Sequence, residues 1–346
     1  MSSTVSSLYP YAMNDTSVIL RALRTAGLVG EDETPAIVPL AGGVSCDVFR
    51  VALAGGPVCV KQALPRLRVA ADWRAPVERI HSEVAWIKFA AGVDPLVVPE
   101  VLAEDRTAHL FVMTYFEPDA YPCWKSLLRD GIVEPDFAAA VGAAAARIHG
   151  ASARNARVAR QFANDDLFLS LRIEPYLLYT AQAHPDRAPR LRAIAENVRS
   201  ARIALMHGDL SPKNILKGPK GPIFLDAETA CYGDPAFDLA FCLNHLLLKC
   251  VWKPENCRAY CAAFAALKEA YLARADWEDR AALDIRTAEL VSALLLARVD
   301  GKSPAEYLIS DADKHFVRDA ARDLLAMSGL RLDALLQVWK AKVERR

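Results

Sequence analysis

The sequence predicts an α+β fold, a small β-rich lobe with one helix followed by a larger, mostly helical lobe. Three observations carry this. Between residues 36 and 115, short Val-, Ile-, Phe- and Leu-rich runs alternate with Gly, Pro and Asp turn clusters. After Glu117 the apolar residues recur at helical spacing nearly to the end. The 346 residues, 53% hydrophobic and 24% charged, are too many for one small module and can build sizeable cores.

In chain order, Asn14-Asp15-Thr16 offers N-caps for a helix running to about Arg24 and stopped by Gly27. Strands are expected at Ala36–Leu40, Asp47–Leu53 and Val58–Ala63, joined by Ala41-Gly42-Gly43 and Ala54-Gly55-Gly56-Pro57. Pro76 opens a helix with the stripe Ile80, Val84, Ile87 and Ala91, ending at Gly92. Val97–Ala103 and His109–Tyr115 read as two further strands around an Asp105 turn. Past a linker near Phe116–Pro118, helices are expected at Asp136–His149, Leu167–Tyr179 and Leu191–Arg202, with one strand-like insert at Pro222–Asp226. The domains are therefore 1–35, an N-terminal extension and helix; 36–116, the β-rich lobe; and 117–346, the helical lobe.

Composition narrows the function classes. Lys+Arg and Asp+Glu are 42 each, and a net charge of +0 argues against a nucleic-acid binder. Mean hydropathy is +0.11, yet runs such as Phe241–Leu248 and Leu290–Ala297 fall far short of the roughly 20 residues of a membrane span. The first 15 residues lack a basic segment followed by an apolar run, so no signal peptide is read there. The 8 cysteines form no C-x-x-C pair, and Cys250, Cys257 and Cys261 read as reduced, buried thiols. A cytoplasmic protein with no obligate protein partner is expected.

The chemistry is concentrated in His207-Gly208-Asp209-Leu-Ser211-Pro-Lys213-Asn214 and Phe224-Leu-Asp226-Ala-Glu228. Phosphoryl transfer needs a carboxylate near the attacking hydroxyl and oxygen ligands for Mg²⁺. An Asp and an Asn on one tight loop, with a second Asp ending a nearby strand, supply these groups at the kinase catalytic-loop spacing. Gly208 stands where Arg is usual in that pattern. Upstream, Leu40-Ala-Gly42-Gly43-Val-Ser45 can meet phosphate through backbone N–H groups and a hydroxyl. Lys61, in the third strand, suits nucleotide phosphates, although a lysine there can also snorkel to water. Glu83, on the following helix, suits an ion pair with Lys61.

These residues, with Gly233-Asp234-Pro235-Ala-Phe-Asp238-Leu-Ala, resemble the aminoglycoside phosphotransferase and choline kinase-like family, which shares the protein-kinase-like fold. The match spans about residues 36–250. The resemblance implies an ATP-dependent kinase of a small hydroxylated metabolite. It implies Asp209 as catalytic base, and Asn214, Asp226 and Glu228 as Mg²⁺ ligands. It implies Gly42, Gly43, Ser45, Lys61 and Glu83 at the nucleotide phosphates, and Met113 to Phe116, with Tyr115, as an adenine hinge. Asp238 braces the catalytic loop. The chain departs from the family at Ser211, Lys213 and Cys46-Asp47. Lys213 either helps neutralise the phosphate or is merely solvated.

Leu294 to Glu306 has two readings. In one, Ser303-Pro304-x-Glu306 is a capping box after Gly301. In the other, Arg298 and Asp300 face the acceptor, as Tyr115, Tyr121 and Trp124 do near the hinge. A non-catalytic nucleotide-binding scaffold and an atypical protein kinase are the alternatives. The missing Ala-Pro-Glu element and the short gap between Asp226 and Gly233 count against the protein kinase. Residues 117–206 and 231–346 carry 27 acidic against 29 basic residues, which points away from a polycationic aminoglycoside acceptor.

Overall fold

The computed structural model describes residues 16–40, 45–66, 68 and 75–346. Gly42, Gly43 and the Asn14-Asp15 cap lie outside the described residues. The chain divides into two compact units, Met1–Ile80 with Val101–Tyr115, and His81–Glu100 with Phe116–Arg346.

The first unit holds α1 (Thr16–Thr25) and a five-stranded antiparallel sheet of β1 (Ile37–Pro39), β2 (Cys46–Leu53) and β3 (Gly56–Ala63). Helix α2 (Arg79–Val93) starts at its edge, and β4 (Val101–Asp105) and β5 (Leu110–Thr114) complete the sheet in the order β1-β2-β3-β5-β4. The apolar face of α1, Ile19, Ala22 and Leu23, packs with Val29 on Phe49, Val51, Val60 and Val112. That burial draws α1 into the sheet unit, whereas the sequence sets residues 1–35 apart. From His81 onward, α2 groups with the helical unit.

Two boundaries differ from expectation. The helix expected from Pro76 begins at Arg79, whose guanidinium donates to the carbonyls of Ala75 (3.2 Å), Pro76 (2.8 Å) and Leu64 (2.9 Å). The strand expected at 97–103 begins at Val101. Asp94 caps a 3₁₀ turn over Pro95–Val97, accepting from Leu96 N at 3.1 Å, and Pro99 has no N–H to pair. The Asp105 turn forms as expected, with its carboxylate accepting from Thr107 N and Ala108 N.

After its part of α2, the second unit continues with α3 (Trp124–Arg129), α4 (Pro135–Ser152), α5 (Ala156–Gln161) and α6 (Asp165–Phe168). A π-helical stretch, Leu169–Leu178, leads into α7 (Tyr179–Ala183) and α8 (Ala188–Ser200). Then come β6 (Ala204–Met206), β7 (Ile215–Gly218), β8 (Gly221–Phe224) and β9 (Cys231–Gly233). The pairs β6·β9 and β7·β8 are two small antiparallel ladders, so the single insert expected at 222–226 is a hairpin whose strand stops before Asp226. Helices α9 (Ala236–Trp252), α10 (Cys257–Leu272), α11 (Arg280–Asp300), α12 (Asp311–Ala326) and α13 (Leu332–Glu344) complete it. Helices α4 and α10 approach so closely that a Cβ on Gly142 would lie 2.3 Å from the Leu267 carbonyl oxygen.

The capping box expected at Ser303 does not form. Residues 301–310 are turns and coil, and α12 starts at Asp311 with Ser310 as its cap. Arg298 Nη1 donates to both the carbonyl (2.5 Å) and the hydroxyl (3.3 Å) of Ser303, and Glu306 reaches Lys125 (2.5 Å) instead of a helix N-terminus. No described helix is long and apolar enough to cross a membrane.

Candidate active site

The loop after β6 is held from behind. Asp238, in the first turn of α9 and fully buried, accepts from His207 N at 2.6 Å and Gly208 N at 2.9 Å. His149 Nε2 lies 3.2 Å from the same carboxylate, and its Nδ1 lies 2.6 Å from the Tyr271 hydroxyl. A buried chain of polar groups thus runs from α10 through α4 to the loop backbone. Asp234 is bound separately, by Arg286 at 3.0 and 3.1 Å.

His207 is neutral in this setting. Its Nε2–H donates to the Leu225 carbonyl at 2.9 Å, and its Nδ1 accepts from Asp209 N at 3.2 Å. Burial lowers its pKa below the ordinary value, against the pull of Asp238 and Asp209. Its ring packs edge-on to Trp86 of α2, with centroids 4.9 Å apart. Gly208 has φ +79, and a Cβ there would lie 2.4 Å from the Thr229 carbonyl oxygen and 2.7 Å from its hydroxyl. An arginine at this position has no room.

Asp209 is 4% exposed, and its Oδ2 gathers three donors. These are Asn214 Nδ2 at 3.0 Å, Lys213 Nζ at 3.0 Å and Arg172 Nη2 at 3.1 Å. Burial alone would raise its pKa, but Arg172 and Lys213 outweigh it and hold the carboxyl below its ordinary value. Asp209 is therefore ionised at neutral pH. Lys213 remains half exposed, and its own pKa is raised, first by Asp209.

Arg172 belongs to no motif that the sequence displays. It also donates Nε to the Gly208 carbonyl (2.7 Å) and Nη1 to the Leu171 carbonyl (2.7 Å). Pro175 lacks the N–H that an α-helix would send to that Leu171 carbonyl. Burial opposes the charge of Arg172, yet Asp209, Glu228 and Asp226 raise its pKa, so all three carboxylates act on this one cation. The available signal was a charged residue between Leu171 and Ile173, three positions before a proline.

The expected metal ligands fit an oxygen-binding cation. Asn214 spends its NH₂ on the carbonyl and carboxylate of Asp209, which leaves Oδ1 with acceptor capacity. Asp226 has φ +67, a left-handed conformation rare outside Gly. Asn214, Asp226 and Glu228, the last 7% exposed, offer only oxygen donors, the ligand type Mg²⁺ takes.

The candidate nucleotide residues are distributed over both units. Lys61 is 5% exposed in β3, opposite Val48 of β2 and Phe111 of β5, and is not at the surface. Ser45 is buried, and its carbonyl accepts from Leu64 N and from Arg79. Asp47 is paired with Arg68, which gives the departure at Cys46-Asp47 a structural partner. Met113 sits within β5, flanked by Cys59 of β3 and Val101 of β4. Tyr115 follows that strand under the Arg50 guanidinium, 5.3 Å from its ring centre. Glu83 is 1% exposed on the second unit's part of α2.

Other candidates have partners within the helical unit. Asp300 binds Arg318 through two 2.7 Å contacts and His184 Nε2 at 2.9 Å. Arg298 is buried against the Ser303 turn, and Trp124 packs edge-on to Phe137 in the core.

Known proteins of similar sequence and fold are found by comparison. Methylthioribose kinase 1 of Oryza sativa subsp. japonica is 28% identical over 229 residues, 58% of this chain and 53% of that protein. The chain thus spans about half the length of that relative. Methylthioribose kinase of Pectobacterium carotovorum subsp. carotovorum is 28% identical over 318 residues, 83% of this chain and 70% of that protein. Among solved structures, choline kinase from Cryptosporidium parvum Iowa II shares the fold, with a TM-score of 0.57 at 13% identity over 93% of this chain and 100% of that one. Residues 36–283, catalytic loop included, match the model of the Phosphotransferase enzyme family, and the chain belongs to that family.

Proposed function

We propose that this protein transfers the γ-phosphoryl group of ATP to a hydroxyl of a small metabolite, with Asp209 as the catalytic carboxylate. The observation that carries the reading is the buried, ionised Asp209 held by Asn214, Lys213 and Arg172. Asp209 orients the acceptor hydroxyl and takes its proton as the new O–P bond forms and ADP departs. Its lowered pKa makes it a weak base, which suits a loose transition state in which orientation matters more than early proton removal. Lys213 and Arg172 place positive charge beside the transferring group. Asn214 and Asp226, with Glu228, would hold Mg²⁺, which when bound neutralises charge on the nucleotide phosphates. Lys61, Ser45 and Glu83 are assigned to the nucleotide phosphates, and Met113 to Phe116 to adenine.

The acceptor is a neutral, zwitterionic or anionic alcohol. The balanced charge of the helical lobe supports this, and the names of the relatives make methylthioribose the first compound to assay. ADP release is measured over a panel of sugars, amino alcohols and aminoglycosides. Asp209→Asn should cut kcat by about 10²–10⁴-fold with ATP affinity retained. A variant keeping more than a tenth of wild-type turnover refutes the role of Asp209. An aminoglycoside kcat/KM above about 10⁴ M⁻¹s⁻¹ refutes the acceptor class.

A further inference from the structure

Three thiols meet at the turn between α9 and α10, outside the catalytic loop. Cys250 lies in the last turn of α9, Cys257 is the first residue of α10, and Cys261 follows one helical turn later. Cys250 Sγ and Cys261 Sγ are 3.8 Å apart, and Cys257 Sγ and Cys261 Sγ are 3.9 Å apart. All three sulfurs lie within 4.8 Å of one another.

We propose that Cys250, Cys257 and Cys261 bind one thiophilic d¹⁰ cation of the Zn²⁺ or Cu⁺ class. With a metal–sulfur bond of about 2.3 Å, a tetrahedral ion separates its sulfurs by about 3.8 Å and a trigonal one by about 4.0 Å. The two short separations match these values, and the third closes with a small rotation at Cys257. Soft thiolates select such ions over the oxygen-seeking Mg²⁺. Hydrogen bonds from the Cys250 and Cys261 thiols lower the pKa of Cys257 against burial, with Lys340 adding to the effect. Cys250 and Cys261 are pushed up by the hydrogen bonds they share with Cys257 and by burial, so both are protonated thiols before an ion binds. Cys257 also stands at the positive N-terminal end of a 16-residue helix. Cys250 and Cys261 are buried, and Cys257 is partly exposed, which gives the ion one side of entry. Each ligating thiol releases its proton to solvent on binding.

The full-length protein, reduced and freed of reductant, is titrated with Zn²⁺ against a chromophoric chelator, and with Cd²⁺ while its thiolate charge-transfer absorption is followed. One equivalent should bind. Cys257→Ser, which places a helix-start residue type at a helix start, should weaken binding at least about tenfold. Cys261→Ser should do the same, and Cys123→Ser, which alters the other partly exposed thiol, should leave affinity unchanged. The proposal is overturned if the wild type binds no more tightly than Cys257→Ser, or if Cys123→Ser weakens binding equally. It is also overturned if the freshly alkylated protein carries a disulfide within this trio and the reduced form takes up no metal.

Discussion

Replacing Gly208 by Ala tests the catalytic loop without knowledge of the acceptor. The residue has φ +79, where an L-residue other than glycine costs about 1–2 kcal/mol. Its new Cβ would also stand 2.4 Å from the Thr229 carbonyl oxygen and 2.7 Å from the Thr229 hydroxyl. Overpacking of this kind costs about 1–3 kcal/mol. The two together amount to about 2–5 kcal/mol, a large fraction of the stability of an ordinary domain. Urea unfolding followed by far-ultraviolet circular dichroism should show a lower midpoint with an unchanged slope. Thr229→Ala removes the hydroxyl but leaves the carbonyl oxygen, so Gly208→Ala/Thr229→Ala should recover little of the loss. A single variant destabilised by less than about 1 kcal/mol, or a double variant restored to wild-type stability, contradicts the steric argument.

Asp226→Ala should abolish Mg²⁺-supported turnover, and Asn214→Ala should weaken it with partial recovery at high Mg²⁺. An unchanged half-saturating Mg²⁺ concentration in Asn214→Ala places the metal elsewhere. Lys61→Ala should raise the ATP KM or lower kcat, and Glu83→Ala should do so more mildly. If the two act as the pair expected from the sequence, a double-mutant cycle is non-additive, and full additivity rejects that pairing. Acidification should destabilise the fold through His207. Its folded pKa is lowered, so the unfolded state binds more protons as pH falls below about 6.5, and stability drops across that window. His207→Gln should flatten the slope of urea midpoint against pH there, and an unchanged slope assigns the titration to another group.

The catalytic loop was legible because its groups are local. Asp209 and Asn214 meet through the tight turn that their spacing describes. Asp226 was equally visible, although its left-handed backbone was not. The supports of the loop come from distant elements and left little pattern. Arg172 reaches the loop from a helix that sequence spacing reads as ordinary, and His149 and Tyr271 join Asp238 across three helices. Strands β6 and β9 have three residues each, too short for alternation to register. The false capping box shows the converse. Its local signal was correct in type, but Ser303 and Glu306 take Arg298 and Lys125 as tertiary partners instead.

The wide turns of Leu169–Leu178 set the angular phase of Arg172. A regular α-helix advances its side chains by about 100° per residue, and a π-turn accommodates one more residue than an α-turn before the hydrogen bond closes. Removing a single residue from this stretch would rotate everything on one side of the cut by about that angle relative to the other. With Phe168 fixed in its edge-on contact with Phe237, the guanidinium would sweep off the Gly208 carbonyl and Asp209 together. The aim of a cation at the Asp209 carboxylate is therefore encoded in a residue count, and a deletion that preserves every chemical group of the loop can still misalign it.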